Sequence, residues 1–113
     1  MSERVKANIH FFRLLLEADK KQIRSLMTAA NPAQVALISE MVWNLLYHLP
    51  ITAESRKALL RKKGLKDVAN FKRTLRFRKV KIIKHLKDVI DILEKYHKKL
   101  MHISRKVVMQ KTP

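Results

Sequence analysis

The chain has 113 residues, of which 26 are Lys or Arg, nine are Asp or Glu and none is Cys. The lack of cysteine excludes disulfides, thiolate metal sites and a cysteine nucleophile, and a single glycine argues against glycine-rich phosphate loops. An apolar share of 47% is enough for a folded core. We therefore predict one all-α domain, residues 1–113, built as a small helical bundle of about five to six helices with a long last helix.

Residues 1–49 are predicted to form a near-neutral part that supplies the core. Ser2 is suited to cap a first helix that runs to about Ala18, because its hydroxyl can accept a hydrogen bond from the free backbone N–H groups of the first turn. Asp19, followed three residues later by Gln22, has the spacing of a capping box and predicts a short second helix.

Asn31 and Pro32 mark the start of a third helix. Asn is favoured at the N-cap, Pro at the first helical position, and Gln34 stands at the third helical position. This helix is apolar on nearly every side, so we expect it at the centre of the fold. Trp43 and Tyr47, which lie on it, are accordingly predicted to be packed.

Residues 50–87 are predicted to form a basic helical part. Pro50 should end the third helix, and Thr52 should cap the fourth. Gly64 falls where the C-terminus of a helix favours a residue in the left-handed conformation. A break of the helix within residues 74–78 fits the pattern, although no glycine or proline requires it.

Residues 78–108 are predicted to form a long C-terminal helix. Apolar positions repeat every seven residues over about three to four heptads, a pattern typical of a helix that buries one stripe. Two arrangements fit this pattern: the helix packs along the N-terminal helices, or it pairs with a second copy of the chain. The candidate dimer seam consists of Ile83, Leu86, Ile90, Leu93 and Leu100.

The charge is distributed unevenly along the chain. Residues 1–54 hold six Lys or Arg against five acids, whereas residues 55–113 hold 20 against four. A window of 32 residues, from Arg56 to Lys87, contains 14 basic residues and one acid, Asp67. Such a concentration of charge repels itself and is typical of a surface that faces a polyanion, above all the phosphates of nucleic acid. The candidate nucleic-acid-binding residues are Arg56, Lys57, Arg61, Lys62, Lys63, Lys66, Lys72, Arg73, Arg76, Arg78, Lys79, Lys81, Lys84 and Lys87.

Two phenylalanines, Phe71 and Phe77, stand among these cations. They could stack on exposed bases, as in single-strand binders, but such residues more often anchor a short helix to the core, and we favour that role. Three other interpretations of the basic stretch stay open. It could be a solvated face, it could contact a membrane surface, which requires a helix with a large apolar moment, or it could bind an acidic protein.

The sequence contains no recognisable catalytic constellation. Glu94 and His97 have the spacing of half a di-iron carboxylate site, but such a site requires two of these pairs on facing helices, and only one is present. A catalytic triad, a Walker loop and a dinucleotide fingerprint are all missing. We therefore predict a protein that is not an enzyme and has no metal or cofactor. We also expect no membrane span and no signal peptide.

Three short stretches resemble a known family. They are the apolar segment of residues 36–46, which ends in Asn44-Leu45-Leu46, the turn Leu-Pro-Ile-Thr of residues 49–52, and the basic run of residues 57–63. Together they resemble the small basic proteins of Maverick/Polinton and adenovirus-like elements. The resemblance implies a DNA-element or virion-associated protein with a histone-like packaging role. This chain has the helix of residues 82–107 where those proteins often carry a glycine-rich apolar tail.

From the sequence we predict a non-catalytic protein that contacts the phosphate backbone of nucleic acid, DNA ahead of RNA, with little sequence preference. The alternative is a helical assembly or adaptor protein that dimerises through its C-terminal helix and binds an acidic protein partner, as a component of a virion or a ribonucleoprotein. An intracellular location, nuclear or virion-associated, suits both interpretations, and no small-molecule substrate is expected.

Overall fold

The computed structural model describes residues 8–111, with side chains over residues 8–100. Every regular element in that range is a helix and the last one is long, so the predicted all-α fold is confirmed. The Ser2 cap lies outside the described residues. In chain order the helices are α1 Ile9–Glu17, α2 Lys20–Thr28, α3 Pro32–Tyr47, α4 Ala53–Arg61, α5 Leu65–Val68, α6 Leu75–Lys84 and α7 Leu86–Lys111.

Side-chain caps define the starts of α2 and α3. Asp19 Oδ1 accepts a hydrogen bond of 2.9 Å from the backbone N–H of Gln22, and Gln22 Oε1 accepts one of 3.0 Å from that of Asp19. Asn31 and Gln34 make the same reciprocal pair, with both bonds at 2.9 Å and Pro32 at the first helical position. Both predicted helix starts are confirmed, because the bonding groups are three residues apart and need no tertiary partner.

Helix α3 is buried along most of its length at the centre of the fold, as predicted. It contacts α4, α5, α6 and α7. Helix α1 packs on α7 and α2 packs on α6, and they add Phe12, Leu15 and Met27 to the same core. Each such side chain stabilises the fold by about 1.5–3 kcal/mol when it leaves water. Among the described residues, most of the largest fully buried side chains lie between Phe12 and Leu49.

Helix α7 packs along α1 and α3, the first of the two predicted arrangements. Ile90, Leu93 and Leu100 are buried within a single copy of the chain. Leu86, and Ile83 near the end of α6, are half-buried against the same core. Three of the five residues of the candidate dimer seam are thus buried in the core of one chain, where a second copy could reach them only if α7 left its place.

Helical structure is interrupted at two points between α5 and α7. Thr74 Oγ1 accepts a hydrogen bond of 3.1 Å from the backbone N–H of Phe77 and caps α6, so a helix begins at Leu75. The prediction of one continuous helix over residues 78–108 is wrong. His85, with φ −111° and ψ 32°, departs from helical geometry and separates α6 from α7.

Thr52 caps the basic helix α4 as predicted, and Gly64 has the predicted left-handed conformation, but α4 already ends at Arg61 and Gly64 stands directly before α5. Thr52 Oγ1 accepts a hydrogen bond of 3.1 Å from the backbone N–H of Ser55. Gly64 has φ +96°, and a Cβ atom at this position would lie 2.1 Å from Cδ2 of His85. The missing side chain of Gly64 therefore leaves room for the imidazole at the bend between α6 and α7. This contact joins residues distant in sequence, which is why the heptad pattern did not reveal the bend.

Candidate nucleic-acid interface

The fourteen candidate phosphate-binding cations lie on four consecutive helices, α4 to α7, and on their connections. Helix α5 contacts both α4 and α6, and α6 contacts α7, so these elements are neighbours in space as well as in sequence. The structure divides the fourteen into three groups. Some donate hydrogen bonds inside the fold, some pair with acids, and the rest are exposed.

Arg56 and Lys79 donate to backbone carbonyls near helix ends. The guanidinium of Arg56 donates to the carbonyl of Leu46 at 2.5 Å and also to that of Leu49. Both acceptors lie at the C-terminal end of α3, where backbone carbonyls lack partners within the helix. Lys79 Nζ donates at 3.0 Å to the carbonyl of Ala30, between α2 and α3. These two cations therefore hold helices in place.

Arg78 connects three helices from within the fold. Its Nη1 donates to Ser39 Oγ at 2.9 Å, and Ser39 Oγ donates to the carbonyl of Val68 at 2.6 Å. Ser39 is fully buried in α3, and Val68 is the last residue of α5. Because a buried polar group without a partner is destabilising, the two bonds favour one arrangement of α3, α5 and α6. Arg78 is thus part of the architecture of the fold.

Lys62 and Lys81 face acidic side chains. Lys62 Nζ lies 3.6 Å from Oδ1 of Asp88, and Lys81 Nζ lies 3.7 Å from Oδ2 of Asp67. All four side chains are partly exposed to solvent, so each pair stabilises the fold by only about 0–1 kcal/mol. A phosphate group could therefore compete with either carboxylate for its lysine.

Nine of the fourteen cations are exposed. None of the nine forms an ion pair with an acid in the part of the chain whose side chains are described. They occur on each of the helices from α4 to α7 and in the connections between α4 and α6. The nine exposed cations are Lys57, Arg61, Lys63, Lys66, Lys72, Arg73, Arg76, Lys84 and Lys87.

Phe77 is half-buried and lies close to two of the cations. The guanidinium carbon of Arg73 is 3.9 Å from the centroid of the Phe77 ring, and Lys81 Nζ is 5.4 Å from it. A cation at this distance from a ring is attracted by its electrons, by about 0.5–1 kcal/mol at an exposed site. The ring of Phe77 therefore orients the exposed guanidinium of Arg73.

A second group of rings is more exposed, and we call Trp43, Tyr47, His48 and Phe71 the aromatic cluster. The Trp43 centroid is 4.1 Å from that of His48, 5.6 Å from that of Phe71 and 6.4 Å from that of Tyr47. Tyr47 is 49% exposed and Phe71 is 46% exposed. The prediction that Tyr47 is packed is wrong, because α3 ends at this residue and its last turn reaches the surface.

The connection between α5 and α6 brings cations next to the aromatic cluster. Asn70 Oδ1 accepts a hydrogen bond of 3.1 Å from the backbone N–H of Lys72, and the Asn70 carbonyl accepts one of 3.0 Å from that of Arg73. These bonds fold the connection into a turn that carries Phe71. The guanidinium carbon of Arg78 lies 5.3 Å from the centroid of the Phe71 ring. Aromatic rings and cations thus stand side by side around this turn.

The sequence did not predict Tyr47 and His48 at the surface beside the basic stretch, whereas Trp43 is half-buried and packs against the core as predicted. A local signal was present, since Tyr47 and His48 come directly before Leu49 and Pro50, where the helix has to end. The last turn of a helix that stops at a proline is close to a surface connection. No local pattern in the sequence indicates that Phe71 lies close to Trp43.

The Glu94 and His97 pair gains no further metal ligands over residues 8–100. No group of three or more His, Asp or Glu side chains in this range could hold a metal ion. His97 Nδ1 lies 2.9 Å from the backbone carbonyl of Glu94, its neighbour in the predicted half-site. A search for a helix long and apolar enough to cross a membrane finds none in the described chain.

Comparisons of the chain with protein-family models, with curated proteins and with solved structures found no match. The resemblance to proteins of Maverick/Polinton and adenovirus-like elements therefore stays a prediction. The function has to be inferred from the arrangement of charged and aromatic side chains.

Proposed function

We propose that this protein binds nucleic acid, without catalysis, through contacts between its exposed cations and the phosphate backbone. The observation that supports the proposal is the set of nine exposed cations on neighbouring elements, none of them paired with a described acid. Like charges this close repel one another and lower the stability of the free protein. A polyanion relieves that repulsion, and duplex DNA offers one negative charge per ~1.7 Å of its axis.

The proposed contact has little sequence preference. Phosphate contacts position a protein on nucleic acid but do not read its sequence. Such a protein is suited to packaging or coating nucleic acid, which agrees with the role that the family resemblance implies, and DNA is the favoured ligand.

The test is the salt dependence of binding to labelled DNA and RNA of mixed sequence. If about 6–10 phosphates are contacted, the affinity should fall by about 10³–10⁵ between 50 and 200 mM salt. Polyglutamate serves as a competitor that carries negative charge without phosphates, and it should displace the labelled strand much less well than unlabelled nucleic acid does. No binding to DNA or RNA at 50 mM salt, or equal competition by polyglutamate, would overturn the proposal.

Matched double variants locate the contact on the chain. Lys57→Gln with Arg61→Gln removes two exposed charges from α4, and the control, Lys20→Gln with Lys21→Gln, removes two exposed charges from α2. Neither should change the free energy of unfolding by more than about 0.5 kcal/mol. The α4 variant should lower the salt slope on duplex DNA by about 0.9 for each phosphate that the protein no longer neutralises. Equal changes in both variants would mean that net charge alone, and not this surface, determines binding.

A further inference from the structure

We propose that the aromatic cluster is a stacking platform for unpaired bases, so that the protein prefers single-stranded nucleic acid to duplex. The inference rests on the proposed phosphate binding and adds to it the kind of strand that is bound. Single-stranded DNA and RNA present the same chemistry here, namely the flat face of a base followed by a phosphate.

The rings offer faces that a base can cover. The ring planes of Phe71, His48 and Tyr47 are tilted by 37°, 49° and 58° from that of Trp43. About half of the surface of Tyr47 and of Phe71 is exposed. Every base has a π-face, so stacking on such rings does not depend on base identity. In a duplex the base faces are already stacked on their neighbours, so only an unpaired strand can use them.

The cluster is held in place before any strand binds. Arg56 donates to the carbonyls of Leu46 and Leu49, which fixes the end of α3 that carries Tyr47. The turn at Asn70 fixes Phe71, whose ring centroid lies 5.6 Å from that of the indole. A platform built in advance avoids the loss of side-chain freedom that binding would otherwise impose.

Exposed cations follow the aromatic cluster along the chain and are available to the phosphates of a stacked strand. Lys72 and Arg73 follow Phe71 directly in the chain and are both exposed. Arg73 is kept in position by the ring of Phe77, 3.9 Å from its guanidinium carbon. An acidic protein would meet these cations but has no series of flat faces to cover the rings. The combination of rings and cations therefore favours a single strand over an acidic protein partner.

The fluorescence of Trp43 tests the inference directly, because it is the only tryptophan of the chain. The probes are a thymidine homopolymer, a uridine homopolymer and a mixed-sequence DNA duplex, compared at equal phosphate concentration. Both homopolymers should quench the indole emission and bind more tightly than the duplex does. Binding of the homopolymers without quenching, or affinity for the duplex that equals or exceeds theirs, would overturn the inference. Quenching by only one homopolymer would support it and would identify which of the two strands the platform prefers.

Two variants on different elements separate stacking from phosphate binding. Phe71→Leu and Tyr47→Leu keep an apolar side chain beside Trp43 and remove a ring. Each should weaken homopolymer binding by about 5- to 150-fold and leave the salt slope and the duplex affinity unchanged. The control is Leu14→Ala, at an exposed apolar residue of α1, which should change neither affinity.

The possible failures can be told apart. Equal losses on homopolymer and duplex in both variants would assign the rings a structural role and overturn the stacking platform alone. If the wild-type protein binds none of the three probes at 50 mM salt, the proposed phosphate binding fails and the platform fails with it. A thermal melt of each variant shows whether it still folds. If a variant is unfolded, the quenching experiment on the wild-type protein decides whether the aromatic cluster is a stacking platform.

Discussion

The Nη1 atom of Arg78 donates to the hydroxyl of Ser39 at 2.9 Å, across 39 positions of the chain. Ser39 in turn donates to the carbonyl of Val68 at 2.6 Å. Arg76, which lies on the same helix as Arg78, is exposed to solvent. One short helix thus carries a cation bonded inside the fold and a cation available to a ligand, so variants can test stability and binding separately.

Arg78→Met is expected to lower the free energy of unfolding by about 1.5–3 kcal/mol, because it removes the bond between a charged donor and the buried hydroxyl of Ser39. Arg76→Met is the matched control and should stay within about 0.5 kcal/mol of the wild-type value. Urea denaturation followed by circular dichroism measures both. In the binding experiment the order should reverse, with a lower salt slope for Arg76→Met only. A fully stable Arg78→Met variant with weakened binding would place Arg78 in the interface instead.

Arg56→Met should also destabilise the fold, since the guanidinium donates to two carbonyls at the C-terminal end of α3. We expect the free energy of unfolding to decrease by about 1.5–3 kcal/mol. The control is Lys57→Met, at the exposed neighbouring residue, which should lower it by less than about 0.5 kcal/mol. The decrease should be accompanied by a change in the emission of Trp43, because the same end of α3 carries the aromatic cluster. If both variants melt at the same temperature, the bonds of Arg56 contribute nothing to stability.

Gly64→Ala is expected to be among the most destabilising single-methyl changes in the chain. The left-handed conformation, with φ +96°, disfavours alanine by about 1–2 kcal/mol, and the new Cβ would collide with the His85 ring. The double variant Gly64→Ala with His85→Ala removes the collision and keeps the backbone strain. Gly64→Ala should therefore lower the free energy of unfolding less in the His85→Ala background than in the wild-type protein. Denaturation of the four proteins forms a double-mutant cycle, and a coupling energy of zero would rule out the contact.

Leu93→Ala should lower the free energy of unfolding by about 2–5 kcal/mol, because Leu93 is fully buried in the core of one copy. Lys95→Ala, at an exposed position of the same helix, is the control. Leu93→Asp should prevent folding at low concentration and at high concentration alike, which circular dichroism and sedimentation detect together. If the wild-type protein is a dimer and Leu93→Asp is a folded monomer, the candidate seam mediates dimerisation and the core role of Leu93 is wrong.

Helix starts and the all-α class followed from the sequence because they depend on groups close together in the chain. Asp19 with Gln22, and Asn31 with Gln34, complete their hydrogen bonds within one helical turn. The left-handed glycine at Gly64 is also a local requirement of backbone sterics. Apolar periodicity identified α3 as the central helix for a similar reason, since a helix without a polar face has to be buried.

The amount of positive charge and its position along the chain follow from the sequence, whereas the packing of the helices determines which cations are exposed to a ligand. Every lysine and arginine counts equally in a charge sum, but Arg56, Arg78 and Lys79 donate to acceptors elsewhere in the fold, up to 49 positions away. The meeting of Trp43 and Phe71 has the same origin. Hydrogen bonds and ring contacts between distant elements depend on how the helices pack together, and no local pattern encodes that packing.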